Sequence, residues 1–136
     1  MWTRPLPDLQ FFAIPWAYPE PNDDVPDVKP DTRRSLTLLP AIIYPKSRGT
    51  IRLASADPTA MPLIDPAYLV DPEDQATILR AYRLTREIAA TEPLASEIQA
   101  EATPGADKRS DAELAAEIRL RAHTIYHPVG TCKMSP

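Results

Sequence analysis

The residues best suited to chemistry lie near the C-terminal end of the sequence. His127 stands directly before Pro128, and the run Gly130-Thr131-Cys132 follows. A neutral imidazole has an ordinary pKa of about 6.5, so it can take a proton from an alcohol at neutral pH. Proline restricts the backbone of the residue before it, which helps to hold the histidine ring in one place. His127 is therefore the candidate for a general base, and a histidine that only satisfies a loop hydrogen bond is the alternative.

A metal site is a second interpretation of the same stretch. His123 and His127 are four residues apart, a spacing that puts two ligands on one helix face, and the Cys132 thiolate could be a third ligand. However, no glutamate follows His123, and the β-branched residues and Pro128 favour an extended chain that separates the two rings. We expect His123 to be structural and no metal to bind.

Cys132 could in principle be a nucleophile, but no sequence signal supplies the base or the lowered thiol pKa that this role needs. A small buried apolar side chain is the better interpretation. Because Cys132 is the only cysteine, an internal disulfide is excluded, and the chain fits a reducing, cytoplasmic compartment. No apolar run approaches the ~20 residues that span a bilayer.

Composition bounds the remaining possibilities. A chain of 136 residues forms at most one domain, and its net charge of −4 leaves no basic surface for nucleic acid. Proline is unusually frequent at 17 residues, while glycine occurs only three times. Two proline-punctuated segments, Pro15–Pro30 and Asp57–Pro66, are predicted to be loops.

Apolar patterning predicts strands in the first half of the chain. The runs Leu9–Ile14 and Leu36–Tyr44 are strand candidates, and Pro40 marks a break or a sheet edge in the second. A turn at Pro45–Gly49 predicts a hairpin in which Thr50–Leu53 is the returning strand.

A long helix is predicted after Asp71, which can cap it, with Pro72 at its first position and the Glu92-Pro93 step as its stop. Its acidic first turn contains Glu73 and Asp74, which oppose the positive helix end. The inward face is predicted to contain Ile78, Ala81, Tyr82, Thr85, Ile88 and Ala89. The arginines at positions 80, 83 and 86 are assigned to a solvated face.

The last third of the chain predicts a short helix at Leu94–Gln99, a turn at Thr103–Ala106 and a helix that opens with the capping box Ser110–Glu113. The inward residues of that helix are predicted to be Leu114, Ala115, Ile118 and Ala122. Extended chain should follow it before a turn at Gly130. Strands first and helices later indicate an α+β fold.

These C-terminal residues closely resemble the His-Pro-x-Gly-Thr-Cys-x-Met signature of the glucose–methanol–choline (GMC) flavoprotein oxidoreductases. Further blocks resemble that family in the same order between about Pro7 and Pro136: Pro7–Gln10, Pro45–Gly49, Ile51–Leu53, Asp57-Pro58, Pro62–Asp65, Tyr68-Leu69, Asp74, Glu101 and Pro104-Gly105. Residues 1–136 therefore resemble the C-terminal substrate domain of these enzymes.

The resemblance implies a largely antiparallel sheet with helices packed against it. It also implies oxidation of an alcohol to an aldehyde or ketone, with a hydride passed to N5 of FAD. His127 would be the base for the hydroxyl proton, Tyr126 would line the substrate pocket beside the flavin, and the Gly130-Thr131 turn would shape the nearby backbone. The implied partners are a small-molecule alcohol and an FAD-binding domain.

Two departures from the family pattern limit what this chain is expected to do alone. Ser135 stands where glycine is usual, and the sequence lacks the continuation that brings a second catalytic histidine or asparagine. It also lacks the Gly-x-Gly-x-x-Gly turn that holds a dinucleotide. We expect a truncated substrate domain, without its N-terminal FAD-binding domain, that is inactive in isolation. A stand-alone, non-catalytic binding module derived from that domain is the alternative.

Overall fold

The computed structural model describes residues 6–17, 34–128, 130, 131 and 134. Its elements, in chain order, are β1 (Leu9–Ile14), β2 (Thr37–Ile42), β3 (Thr50–Arg52), β4 (Leu63–Asp65), α1 (Pro72–Ala89), α2 (Leu94–Glu97) and α3 (Asp111–Arg121). The four strands form two antiparallel two-stranded sheets, and three helices follow them. The α+β prediction is confirmed.

The first sheet pairs β1 with β2 along their whole length, from Leu9 opposite Ile42 to Ile14 opposite Thr37. Pro40 lies within β2, and each strand of this sheet has one partner among the described strands. A sheet edge is where proline's missing N–H costs no ladder hydrogen bond, so the edge prediction holds. Most of the predicted loop Pro15–Pro30 lies outside the described residues.

The predicted hairpin between β2 and the strand after Gly49 is wrong, because β3 pairs with β4 and β2 pairs with β1. Residues 45–49 run from one sheet to the other and do not connect two paired strands. Gly49 makes the closest approach: a Cβ there would stand 2.2 Å from the carbonyl oxygen of Asp65. The predicted loop Asp57–Pro66 consequently contains a strand, β4.

Helix α1 begins as its sequence signals predict and ends at Ala89, before the predicted stop at Glu92-Pro93. The Asp71 carboxylate accepts a hydrogen bond from the Glu73 N–H at 2.7 Å, and Pro72 occupies the first turn. The helix packs against β2, and α2 and α3 pack against it in turn. Ala81, on its predicted inward face, is completely buried.

Helix α3 opens with the predicted capping box, in which the Ser110 hydroxyl accepts from the Glu113 N–H and the Glu113 carboxylate accepts from the Ser110 N–H. Leu114 is buried as predicted. The inward assignment of Ala122 is wrong: it is the exposed C-terminal cap, where the backbone leaves the helix with ψ of 127°.

Arg86 on α1 also departs from its prediction, because it is half-buried and not part of a solvated face. Its guanidinium donates to both carboxylate oxygens of Glu101, at 3.0 and 2.8 Å. It also donates to the carbonyl oxygens of Gly105 and Lys108 and lies 5.2 Å from the centre of the Tyr82 ring. This network fixes the loop between α2 and α3 against α1.

Candidate functional site

The chain leaves α3 as irregular backbone and turns at Tyr126, which has a φ of +63°. The Thr124 hydroxyl accepts a hydrogen bond of 2.9 Å from the Tyr126 N–H. A threonine hydroxyl two residues upstream supports a local turn in this way. The predicted extended chain is therefore wrong at Tyr126, which stands in the left-handed region directly before the candidate base.

His127 is exposed, and no described residue hydrogen-bonds to its ring. The Tyr126 side chain beside it is 77% exposed. Gly130 has a φ of +88° and Thr131 forms part of a turn, as the sequence predicts, and both are exposed. The structure thus presents all four candidate residues to solvent on one short stretch that follows α3.

The His123 ring forms a hydrogen bond to the neighbouring backbone, since its Nδ1–H donates to the carbonyl oxygen of Thr124 at 2.6 Å. The third ligand of the metal interpretation, Cys132, lies outside the described residues. Within the part of the chain that the structure describes, no three histidine, cysteine, aspartate or glutamate side chains form a group that could hold a metal ion.

Neither of two cavities formed by described residues is lined by a candidate residue. One of about 430 Å³ lies on the second sheet and is lined by Thr50, Arg52, Leu63, Ile64 and Asp65. The other, of about 280 Å³, lies where α3 ends and is lined by Tyr68, Leu69, Arg119 and Ala122. The second cavity is adjacent in sequence to the stretch that carries His127, because Ala122 begins that stretch.

Asp74 is the buried charged residue of the described chain, and it connects α1 to residues 45–49. Its carboxylate accepts hydrogen bonds from the Lys46 N–H at 2.8 Å, the Ser47 N–H at 2.7 Å and the Ser47 hydroxyl at 2.5 Å. Burial by itself raises the pKa of Asp74, but these hydrogen bonds and the nearby Arg48 charge outweigh it, so the pKa is lowered. We call this set of contacts the Asp74 anchor.

The position of Asp74 in the first turn of α1 predicts an interaction with the positive helix end but does not predict the anchor. A signal was present, because Asp74 lies four and seven residues before Ile78 and Ala81, on the apolar face of α1. An acid at such a position needs hydrogen-bond donors from another part of the chain.

Comparison with known proteins decides the family. The family profile described as GMC oxidoreductase matches residues 45–136, which include the Asp74 anchor, both long helices and His127. The chain belongs to the GMC oxidoreductase family. Proteins of this family depend in general on FAD.

Three relatives illustrate the range of GMC oxidoreductases that this chain resembles. It is 41% identical to an alcohol dehydrogenase (acceptor) of Pseudomonas putida over 131 residues, which is 96% of this chain and 23% of the relative. It is 40% identical to a choline oxidase of Arthrobacter globiformis over 107 residues, 77% of this chain and 20% of the relative. It is 37% identical to a fatty acid photodecarboxylase of Chlamydomonas reinhardtii over 136 residues, 94% of this chain and 22% of the relative.

The chain therefore spans about a fifth to a quarter of the length of these GMC relatives. The share of each relative that it covers is between 20% and 23%. Among its described residues, no helix combines the length and the apolar composition that a membrane span requires.

The glycines of this GMC chain do not fit an FAD phosphate site by themselves. A Cβ at Gly49 would collide with the Asp65 backbone, and one at Gly105 would stand 2.7 Å from the Asp107 carboxylate, whose charge opposes a phosphate. Gly130 has no atom within 4 Å of a built Cβ, so it lines open space. Neither Gly49 nor Gly105 therefore offers a cradle for a dinucleotide phosphate.

Proposed function

We propose that this chain forms the substrate-side domain of an FAD-dependent oxidoreductase that oxidises CH–OH donors to aldehydes or ketones. Family membership supports the oxidoreductase class, and two relatives, the alcohol dehydrogenase (acceptor) and the choline oxidase, are named for alcohol-bearing substrates. The photodecarboxylase relative is named for a different reaction. The proposal for this chain therefore depends on a residue that could act on an alcohol.

His127 is that residue, and its exposure together with its position carries the proposal. An alcohol loses a hydride far more readily once its hydroxyl proton has been removed, and a positioned base contributes about 10²–10⁴-fold to the rate. The turn at Tyr126 and the restriction from Pro128 set the backbone on both sides of the imidazole. His127 takes the hydroxyl proton of the bound alcohol onto a ring nitrogen.

Tyr126, Gly130 and Thr131 are proposed to line the substrate pocket around that base. The Tyr126 ring projects into solvent, so a substrate or a second domain can cover its apolar face. The open space at Gly130 leaves the backbone accessible to a ligand. The remaining pocket walls, and FAD with its phosphate site, are assigned in this proposal to the rest of the parent enzyme, because this sequence contains no Gly-x-Gly-x-x-Gly turn. We therefore expect the isolated chain to be inactive.

A chimeric enzyme tests this proposal. In the Pseudomonas putida alcohol dehydrogenase (acceptor), the region that matches this chain is replaced by residues 1–136, and alcohol-dependent reduction of a redox dye is measured. His127→Ala should lower kcat by about 10²–10⁴-fold, because the general base is lost. His123→Ala is the matched control and should leave kcat close to that of the unsubstituted chimera.

Full activity of the His127→Ala chimera would contradict the assignment of the base. A chimera that binds FAD, retains His127 and still reduces no dye would favour a non-catalytic binding module over an enzyme.

A further inference from the structure

We infer that the β3–β4 hairpin is a docking surface for the FAD-binding part of the parent enzyme. This inference rests on the proposed function for its choice of partner, and on the geometry of the hairpin for the surface itself.

Every residue of the two strands is exposed, which is unusual for a sheet with apolar side chains. Ile51 and Ile64 lie directly opposite each other, so their side chains share one face. They are 55% and 63% exposed, although cross-strand β-branched pairs normally stabilise a sheet by being covered.

A two-stranded hairpin is at best marginally stable in water unless a further strand or a helix packs against it. No third strand pairs with β3 or β4 in the described part of the chain. Their outer edges therefore offer backbone N–H and C=O groups to another chain, as edge strands that accept a partner strand do.

The base of the hairpin is nevertheless held firmly. The Asp74 anchor binds the backbone of Lys46 and Ser47 just before β3, and Gly49 lies against the Asp65 backbone at the end of β4. Because the hairpin is fixed at its base, part of the entropy of ordering it is already lost before a partner binds.

The surrounding chain adds more uncovered apolar area. Between positions 43 and 70 the exposed large apolar residues are Ile43, Tyr44, Ile51, Leu53, Met61, Leu63, Ile64, Tyr68 and Val70. Soluble monomers seldom expose large apolar patches unless a partner covers them.

The FAD-binding part of the parent enzyme is the occupant that the observations favour. Relatives of this chain are about four times as long, since the matched 107–132 residues make up 20–24% of each, and their additional length contains surface that this chain lacks. The charged residues on the two strands are Arg52 and Asp65, which have opposite signs. A neutral, apolar surface suits another part of a folded protein and does not suit an anionic polymer or membrane.

Hydrogen–deuterium exchange on the isolated chain and on the chimera tests the inference. Amides of β3 and β4 should exchange rapidly in the isolated chain and at least about tenfold more slowly in the chimera. The reason is that docking suppresses the local opening of the hairpin that exposes these amides to solvent. The amides at the centre of α1 serve as the internal reference, since that helix is packed in both proteins.

Two glutamate substitutions sharpen the comparison. Ile51→Glu in the chimera should abolish the added protection and lower the melting temperature. Leu120→Glu should do neither, because Leu120 is equally exposed at 55% but lies on α3 and on neither strand of the hairpin. His127→Ala should leave the protection unchanged, so a loss of activity alone bears on the proposed function and not on docking.

The isolated chain provides a second test that needs no chimera. Fluorescence of the dye 1-anilinonaphthalene-8-sulfonate should fall in the Ile51→Glu, Ile64→Glu double variant and stay unchanged in Leu120→Glu. Equal dye fluorescence in all three proteins, or unprotected hairpin amides in a folded chimera, would overturn the inference. Concentration-dependent protection in the isolated chain would also overturn it and identify a second copy as the occupant.

Discussion

The buried carboxylate of Asp74 connects two parts of the chain that are far apart in sequence. It meets three donors from residues 46 and 47, and its pKa is lowered as a result. Asp71 and Ser110, by contrast, cap helix ends that are visible in the sequence alone. The caps could be predicted because each acts within its own helix, whereas the donors of Asp74 lie more than 25 residues away.

Asp74→Ala is expected to lower the free energy of unfolding by about 2–3 kcal/mol at neutral pH, since hydrogen bonds to a charged group contribute about 1.5–3 kcal/mol. Urea denaturation followed by circular dichroism measures the change. Glu87→Ala, on an exposed position of the same helix, is the control and should shift stability by less than about 0.5 kcal/mol.

The stabilisation from Asp74 should also depend on pH. A carboxyl whose pKa is lowered by folding contributes its full stability above its ordinary pKa of about 4 and loses it as pH falls through the folded-state value. The stability difference between the native chain and Asp74→Ala should therefore shrink below about pH 4. A difference that stays constant down to pH 2 would show that Asp74 acts through packing alone.

At the scale of elements, Arg86 determines how the loop between α2 and α3 lies on α1. Its partner Glu101 is also hydrogen-bonded by the Tyr82 hydroxyl at 3.1 Å, and burial and Glu101 together raise the pKa of Tyr82. Periodicity placed Arg86 on a polar face of α1 but could not reveal that a distant loop covers that face. Charge alone does not separate a solvated arginine from one that organises a loop.

A double-mutant cycle on Arg86 and Glu101 should give a coupling energy of about 0.5–3 kcal/mol, the range for residues in direct contact. The side chains are 28% and 27% exposed, so water screens them only partly. Arg83 and Asp111, at 52% and 67% exposed, form the matched control pair and should couple by less than about 1 kcal/mol. Equal coupling in both pairs would contradict the role assigned to Arg86.

Strand pairing is where prediction from the sequence reached its limit. The locations of β1 and β2 followed from apolar runs bounded by proline, and β3 followed from alternation. Which strand pairs with which did not follow from these patterns, because β1 lies more than 20 residues from β2 and only the folded chain brings them together. Pro45–Gly49 had the composition of a turn, but its N–H groups are used by Asp74.

At the scale of the whole molecule, the described residues have little fully buried apolar material, since only Ala81 and Leu114 are buried apolar residues among them. Folded proteins near this size unfold with an enthalpy of about 0.7 kcal/mol per residue near 60 °C. We expect the isolated chain to unfold with a clearly smaller calorimetric enthalpy per residue. Differential scanning calorimetry measures it, and a value at or above that average would show that the chain is complete as a folding unit.

The candidate site could be proposed from the sequence because its motif is contiguous, from Tyr126 to Thr131. The backbone conformation of the site could not be predicted. The left-handed turn at Tyr126 depends on a hydrogen bond from the Tyr126 N–H to the Thr124 hydroxyl. The two cavities described above are also not lined by any candidate residue. A pocket formed between separate parts of an enzyme leaves only one of its surfaces in each part.

The Asp74 anchor also bears on which substitutions this fold tolerates. The carboxylate binds Lys46 through its main-chain N–H and not through its side chain, which is exposed. Position 46 can therefore vary freely in a mutational library, with proline, which lacks the N–H, as the forbidden residue. Position 74 has no such freedom. A pair of sites can thus be tightly coupled in space although one of them carries almost no information in its side chain.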